Sequence, residues 1–106
     1  MLVFQISRYQ GQYRFALKAK LGLEVLRGER QKDREGARRG MEAVRESAPL
    51  DSRYERVEAA GQFYFHLLDA EGQRLGRSSA FASADLMEKA IAQVKKEAPK
   101  APLTEA

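Results

Sequence analysis

The sequence predicts an α+β protein built as a tandem β-β-β-α repeat. The expected form is an antiparallel sheet with two helices on one face, related by a pseudo-two-fold axis. Three observations predict it. First, residues 3–49 and 53–99 align without a gap at a constant offset of fifty, with nine identities. These are Gly11/Gly61, Gln12/Gln62, Phe15/Phe65, Leu17/Leu67, Gly22/Gly72, Arg27/Arg77, Val44/Val94, Ala48/Ala98 and Pro49/Pro99. A fixed internal period marks a duplicated structural unit. Second, each copy opens with alternating apolar and polar residues, as a half-buried strand does. Third, each copy closes on a segment with helical spacing.

The elements follow in order. Val3–Arg8 and Tyr54–Ala59 read as first strands. Gln10-Gly11 and Ala60-Gly61 read as hairpin turns, where glycine supplies the positive φ. In the next strand Tyr13, Phe15, Leu17 and Ala19 face one way, and Arg14, Ala16 and Lys18 the other. The second copy sets Phe63, Phe65 and Leu67 against Tyr64, His66 and Leu68. Gly22 and Gly72 mark a second turn, and Leu23–Arg27 and Gln73–Arg77 read as third strands with Val25 and Leu75 inward.

Ala37, Met41, Val44 and Ala48 then fall on one helical stripe, and Met87, Ile91, Val94 and Ala98 repeat it. Asp33 and Ser83 stand where N-caps are needed. Ala48-Pro49 and Ala98-Pro99 end the helices, because a residue before proline is pushed out of the helical region. Gly36 and Gly40 weaken the first helix by about 1 kcal/mol each relative to alanine. The expected organisation is a first repeat over 1–50 and a second over 51–99, sharing one core, followed by a loose tail over 100–106. Fifty residues alone bury too little apolar surface to be stable, whereas two such units packed together bury enough.

Composition narrows the function. There is no cysteine, which removes disulfides, thiolate metal sites and thiol nucleophiles. The chain opens Met1-Leu2-Val3-Phe4 and turns polar at once, so no signal peptide is expected. No apolar run approaches the roughly 20 residues of a membrane span. A cytoplasmic location is the expectation. The net charge of +4 is uneven: residues 1–50 carry +5 and residues 51–106 carry −1. The basic character belongs to the first copy, although its arginines alternate with glutamates.

The pattern Phe4-Gln5-Ile6, then Gly11-Gln12-Tyr13-Arg14-Phe15-Ala16-Leu17-Lys18-Ala19 and Gly22, resembles the YegP-like family of small, mostly bacterial proteins. The second copy carries it as Gly61-Gln62-Phe63-Tyr64-Phe65-His66-Leu67-Leu68-Asp69 and Gly72. The resemblance implies a single sheet made by both units, and implies that single-copy relatives dimerise to make the same sheet. It brings no catalytic residue. The chain departs from the family pattern at two places. Leu21-Gly22 and Glu71-Gly72 stand where that family has Asn-Gly. Gly28-Glu29-Arg30-Gln31 and Ser78-Ser79-Ala80-Phe81 stand where it has Ser-Glu-x-Tyr.

No constellation for catalysis, a metal or a cofactor emerges. His66 is the one histidine, with no partner placed by spacing, and reads as a partly exposed strand residue. The carboxylates pair with arginines at helix-surface spacing, as in Glu35/Arg39 and Arg38/Glu42. No phosphate-loop glycine pattern occurs. The expected function is therefore that of a small binding or interaction module, not an enzyme. Its expected partner is another protein, a second copy of this chain included. The candidate partner surface is Tyr64, His66 and Leu68, on the sheet face away from the helices. The alternative is nucleic acid, held by a basic ridge of Arg34, Arg38 and Arg45 on the first helix.

Overall fold

The computed structural model describes residues 1–105, and side-chain surroundings for residues 1–104. The strands are β1 (Val3–Tyr9), β2 (Gln12–Lys18), β3 (Glu24–Gly28), β4 (Tyr54–Ala59), β5 (Gln62–Leu68), β6 (Arg74–Ser78) and β7 (Leu103–Glu105). The helices are α1 (Arg34–Ser47) and α2 (Ala84–Glu97). Each unit is β-β-β-α, as the repeat predicts. The strands form one sheet in the order β4-β5-β6-β3-β2-β1-β7. The units meet at the centre, where β3 pairs antiparallel with β6 and Arg27 lies opposite Arg77. The fifty-residue register thus becomes a pseudo-two-fold axis between two equivalent arginines.

The inward stripes meet as expected. Phe15, Leu17, Phe65 and Leu67 of the sheet are buried with Met41, Val44, Ile91 and Val94 of the helices. The N-caps are as read: Gly36 N–H donates to Asp33 Oδ1 at 2.7 Å, and Leu86 N–H to Ser83 Oγ at 3.2 Å. Both first turns are of the tight type with two positive φ values, at Gln10-Gly11 and Ala60-Gly61.

The two units are not identical inside, and the differences compensate. The third strands begin one residue later than the sequence suggests, and Leu26 joins Val25 in the core. Its equivalent is Gly76. A Cβ at Gly76 would stand 2.7 Å from the Arg27 carbonyl and 3.2 Å from Leu26 Cγ, so one leucine occupies the centre. Likewise a Cβ at Gly28 would fall 2.2 Å from the Phe15 ring, and one at Gly40 would lie 3.1 Å from it. The second unit has Ser78 and Ala90 at these places. There the Phe65 N–H donates to Ser78 Oγ at 2.9 Å, and the ring packs on Tyr54. The helix-weakening Gly40 thus makes room for Phe15.

The tail departs from expectation. Residues 100–105 are not loose: β7 pairs parallel with β1 at the sheet edge. Phe4 N–H donates to the Pro102 carbonyl at 2.8 Å, and Arg45 Nη2 donates to the Ala101 carbonyl at 2.6 Å. No periodicity announces three residues that complete another unit's edge. Ala106 lies outside the described residues. In the second unit Lys95, the equivalent of Arg45, holds Asp51 at 2.6 Å, and Asp51 also meets Arg56 at 2.9 Å. Both cations lie near an aromatic ring, Arg45 over Phe4 and Lys95 over Tyr54. Each helix therefore uses one cation to fasten the chain that leaves the other helix. Among the described residues no helix is long and apolar enough to cross a membrane.

Candidate functional site

The helices cover one sheet face and leave the other open. Cross-strand partners share a face, so the register gives the residues of the open face directly. One row runs Gln5, Ala16, Arg27, Arg77, His66, Glu55 across six strands. It is symmetric about the pseudo-axis, with Gln5 matching Glu55 and Ala16 matching His66.

The second half of this row is a closed stack. His66 Nδ1 and Glu55 Oε1 are 2.8 Å apart. The imidazole meets the Tyr64 ring edge-on at 5.6 Å between centroids, and the Arg77 guanidinium lies over that ring at 4.2 Å. His66 is only 5 % exposed, which corrects the expectation of a partly exposed residue. The neighbouring side chains cover it even though its sheet face carries no helix. Tyr64 is half-buried under Arg77, and Leu68 is half-buried opposite Arg74. The sequence-predicted partner residues do share a face, but they do not form an open apolar patch.

The first half is different. Arg14 stands where the second unit has Tyr64, and Ala16 where it has His66. Beside them lies a depression of about 940 Å³ whose lining includes Arg14, Glu24, Arg27, Arg30, Arg77 and Ser79. A smaller depression shares Arg14 and Arg30 with it and is lined also by Ser7, Tyr9 and Gln12. Arg27 Nε donates to Glu24 Oε1 at 2.8 Å. Arg14 Nε is buried without a hydrogen-bond partner. Burial, and after it the charges of Arg30 and Arg27, hold the Arg14 guanidinium below its ordinary pKa. Like charges directly opposite each other weaken a strand pair. Arg27 opposite Arg77, with two more guanidiniums close by, is therefore an arrangement that costs stability and favours an anion.

The three arginines predicted as a ridge all lie on α1. Arg34 and Arg38 are exposed, but Arg45 is spent on Glu42 at 3.0 Å and on the Ala101 carbonyl. The basic surface is instead made by Arg14, Arg27 and Arg77 on three strands and Arg30 in the loop after β3. One signal in the sequence could have found them. Most identities between the two copies are buried or at turns, whereas Arg27/Arg77 is an exposed identical pair.

Two stretches, residues 9–55 and 58–105, match the model of a domain of unknown function, DUF1508. The chain belongs to the DUF1508 family. A DUF1508 relative described as "UPF0339 protein in ptx operon 5'region", from Stutzerimonas stutzeri, is 41% identical over 96 residues, 90% of this chain and 86% of that one. The UPF0339 protein YegP of Escherichia coli K12 is 38% identical over 94 residues, 87% of this chain and 86% of that one. Two solution structures share the fold. The E. coli yegP structure has a TM-score of 0.89 at 34% identity, covering 98% of this chain and 91% of its own. UPF0339 protein SO3888 of Shewanella oneidensis has a TM-score of 0.90 at 26% identity, covering 98% and 90%. The YegP-like resemblance is thereby shown. The family carries no assigned activity, so function rests on the geometry of this chain.

Proposed function

We propose that this protein is a small cytoplasmic binding module, not an enzyme, and that it takes an anionic ligand on the open face of its sheet. The observation that carries this reading is the convergence of Arg14, Arg27, Arg30 and Arg77 around a depression at the pseudo-axis. Four guanidiniums outnumber the two carboxylates that line it, Glu24 and Glu29. Planar guanidiniums from three different strands and a loop suit a multidentate oxyanion such as a phosphate group. The reading moves the candidate surface along the same sheet face, from Tyr64, His66 and Leu68 to the arginines beside them. His66 is almost fully buried beneath its neighbours, which leaves little access to a substrate and supports binding over acid–base chemistry at that residue.

Calorimetric titration with tripolyphosphate at low salt tests it. The expected result is binding that weakens as salt rises and is lost in the Arg27→Gln/Arg77→Gln variant, both side chains being exposed and the amide spectrum verifying the variant's fold. Undiminished binding by that variant, or no binding by the unaltered protein, would overturn the reading.

A further inference from the structure

We propose that the open sheet face binds single-stranded nucleic acid, with phosphates on Arg14, Arg27, Arg30 and Arg77 and bases stacked at Tyr9 and at the Arg77–Tyr64 pair. This deepens the anion-binding reading above and rests on it. The new observation is the placement of aromatic groups along the basic track. Tyr9 ends β1, is 75 % exposed, and lines the smaller depression together with Arg14 and Arg30. Arg14 and Arg30 also line the larger depression, so the two share these side chains. Across the same sheet face from Tyr9, the Arg77 guanidinium carbon lies over Tyr64, 4.2 Å from the ring centroid. A guanidinium backed by a ring offers a planar surface on which a base can stack.

The spacing suits a strand several nucleotides long. Tyr9, Arg14, Arg27, Arg77 and Tyr64 lie on five adjacent strands, β1, β2, β3, β6 and β5. Four strand spacings are about 19 Å, and the register sets Tyr9 four residues to one side of the Arg27–Arg77 row and Tyr64 two residues to the other, so the track runs diagonally over roughly 28 Å. Phosphate alone would use the arginines and ignore the tyrosines. A duplex keeps its bases stacked inside, so neither tyrosine could reach a base face, and the open face carries no helix to enter a groove. An unpaired strand uses both kinds of group at once. The buried Nε of Arg14, which has no partner, is the kind of donor that a phosphate oxygen would satisfy.

The test is fluorescence anisotropy on the full chain with a labelled single-stranded thymidine dodecamer. Unlabelled duplex of the same length and a polyphosphate of equal charge serve as competitors. The expected result is preference for the single strand by roughly tenfold or more over polyphosphate, since stacking adds to charge. A log-affinity against log-salt slope near −3 is expected for about four phosphate contacts on a single strand, falling to roughly half in Arg27→Gln/Arg77→Gln. Tyr9→Leu should weaken dodecamer binding roughly fivefold or more while leaving polyphosphate binding unchanged, and Tyr64→Leu, which also removes the ring under Arg77, should weaken both. The amide spectrum of each variant verifies its fold. Polyphosphate binding as tight as the dodecamer, a preference for duplex, or indifference to the tyrosine substitutions would overturn this inference and leave the anion-binding reading standing. Absence of binding to both polyphosphate and dodecamer would overturn both.

Discussion

Replacing Gly28 by alanine should destabilise the protein strongly, and the damage should vanish when Phe15 is also replaced by alanine. Phe15 is 1 % exposed and meets Phe4 edge-on, with ring centroids 6.1 Å apart. A Cβ at Gly28 would lie 2.2, 2.4 and 2.7 Å from three atoms of that ring. The ring has little room to swing away, because Phe4 packs against it and Gly40 of α1 lies so close that a Cβ there would stand 3.1 Å from the same ring edge. Overpacking of this kind costs about 3 kcal/mol. Phe15→Ala alone should cost about 3–5 kcal/mol, near the upper end because glycines at 28 and 40 leave no side chain to relax into the cavity. In that background the clash is gone. Gly28→Ala then restores some packing and removes a flexible strand glycine, a gain of about 0.5 kcal/mol. Gly28 has no positive φ that would penalise alanine. The expected coupling is therefore about 3 kcal/mol, measured by urea denaturation of the four proteins of the cycle. If Phe15→Ala unfolds the domain, Phe15→Leu gives the same sign with a smaller coupling. Additive effects would refute the claim that these glycines exist to seat one ring.

Three further outcomes follow from named contacts. Arg56 and Lys95 hold the Asp51 carboxyl down to about pKa 2 through hydrogen bonds. A depressed carboxylate stabilises the fold above its ordinary value and loses that contribution as pH falls through its folded value. The stability advantage of the unaltered protein over Asp51→Asn should thus be present at neutral pH and disappear between about 4 and 2, read by denaturation at a series of pH values; an advantage independent of pH would contradict this. Ala60 holds φ +53 in a turn that favours asparagine before glycine, so Ala60→Asn should gain about 1 kcal/mol in thermal denaturation, and a loss would show the turn to be of another kind. Removing residues 101–106 should cost about 2–4 kcal/mol, through loss of the Arg45 and Phe4 hydrogen bonds and the burial of Ala101. It should also speed exchange of the Phe4 amide; an unchanged midpoint would mean the tail adds nothing.

Much of the fold was legible because repetition and periodicity are properties of the chain. The offset of fifty gave the units, alternation gave the faces of β2 and β5, and the stripes from Ala37 and Met87 gave the buried helix faces. What escaped depended on contacts between distant segments. The docking of Leu103–Glu105 on β1 is invisible locally, because a short edge strand is specified by its neighbour. The assignment of Leu26 to the core and the emptiness at Gly76 needed the pairing of β3 with β6. The basic site escaped for the same reason. Helical spacing grouped Arg34, Arg38 and Arg45, but Arg45 was drawn to the tail. Arg14, Arg27, Arg30 and Arg77 come together only across strands from both units. His66 was assigned the correct face and the wrong exposure, since its cover comes from Tyr64, Arg77 and Glu55 combined.

The central claim is that a ligand lies on the open sheet face, across the axis where Arg27 meets Arg77. Titrating isotope-labelled protein with the thymidine dodecamer, and following backbone amides and arginine Nε–H groups by nuclear magnetic resonance, tests it most directly. Shifts should be confined to β1, β2, β3, β6 and β5 and to the Nε–H of Arg14, Arg27, Arg30 and Arg77, with α1 and α2 unmoved. Shifts centred on the exposed faces of the helices, with these four arginines unchanged, would contradict it.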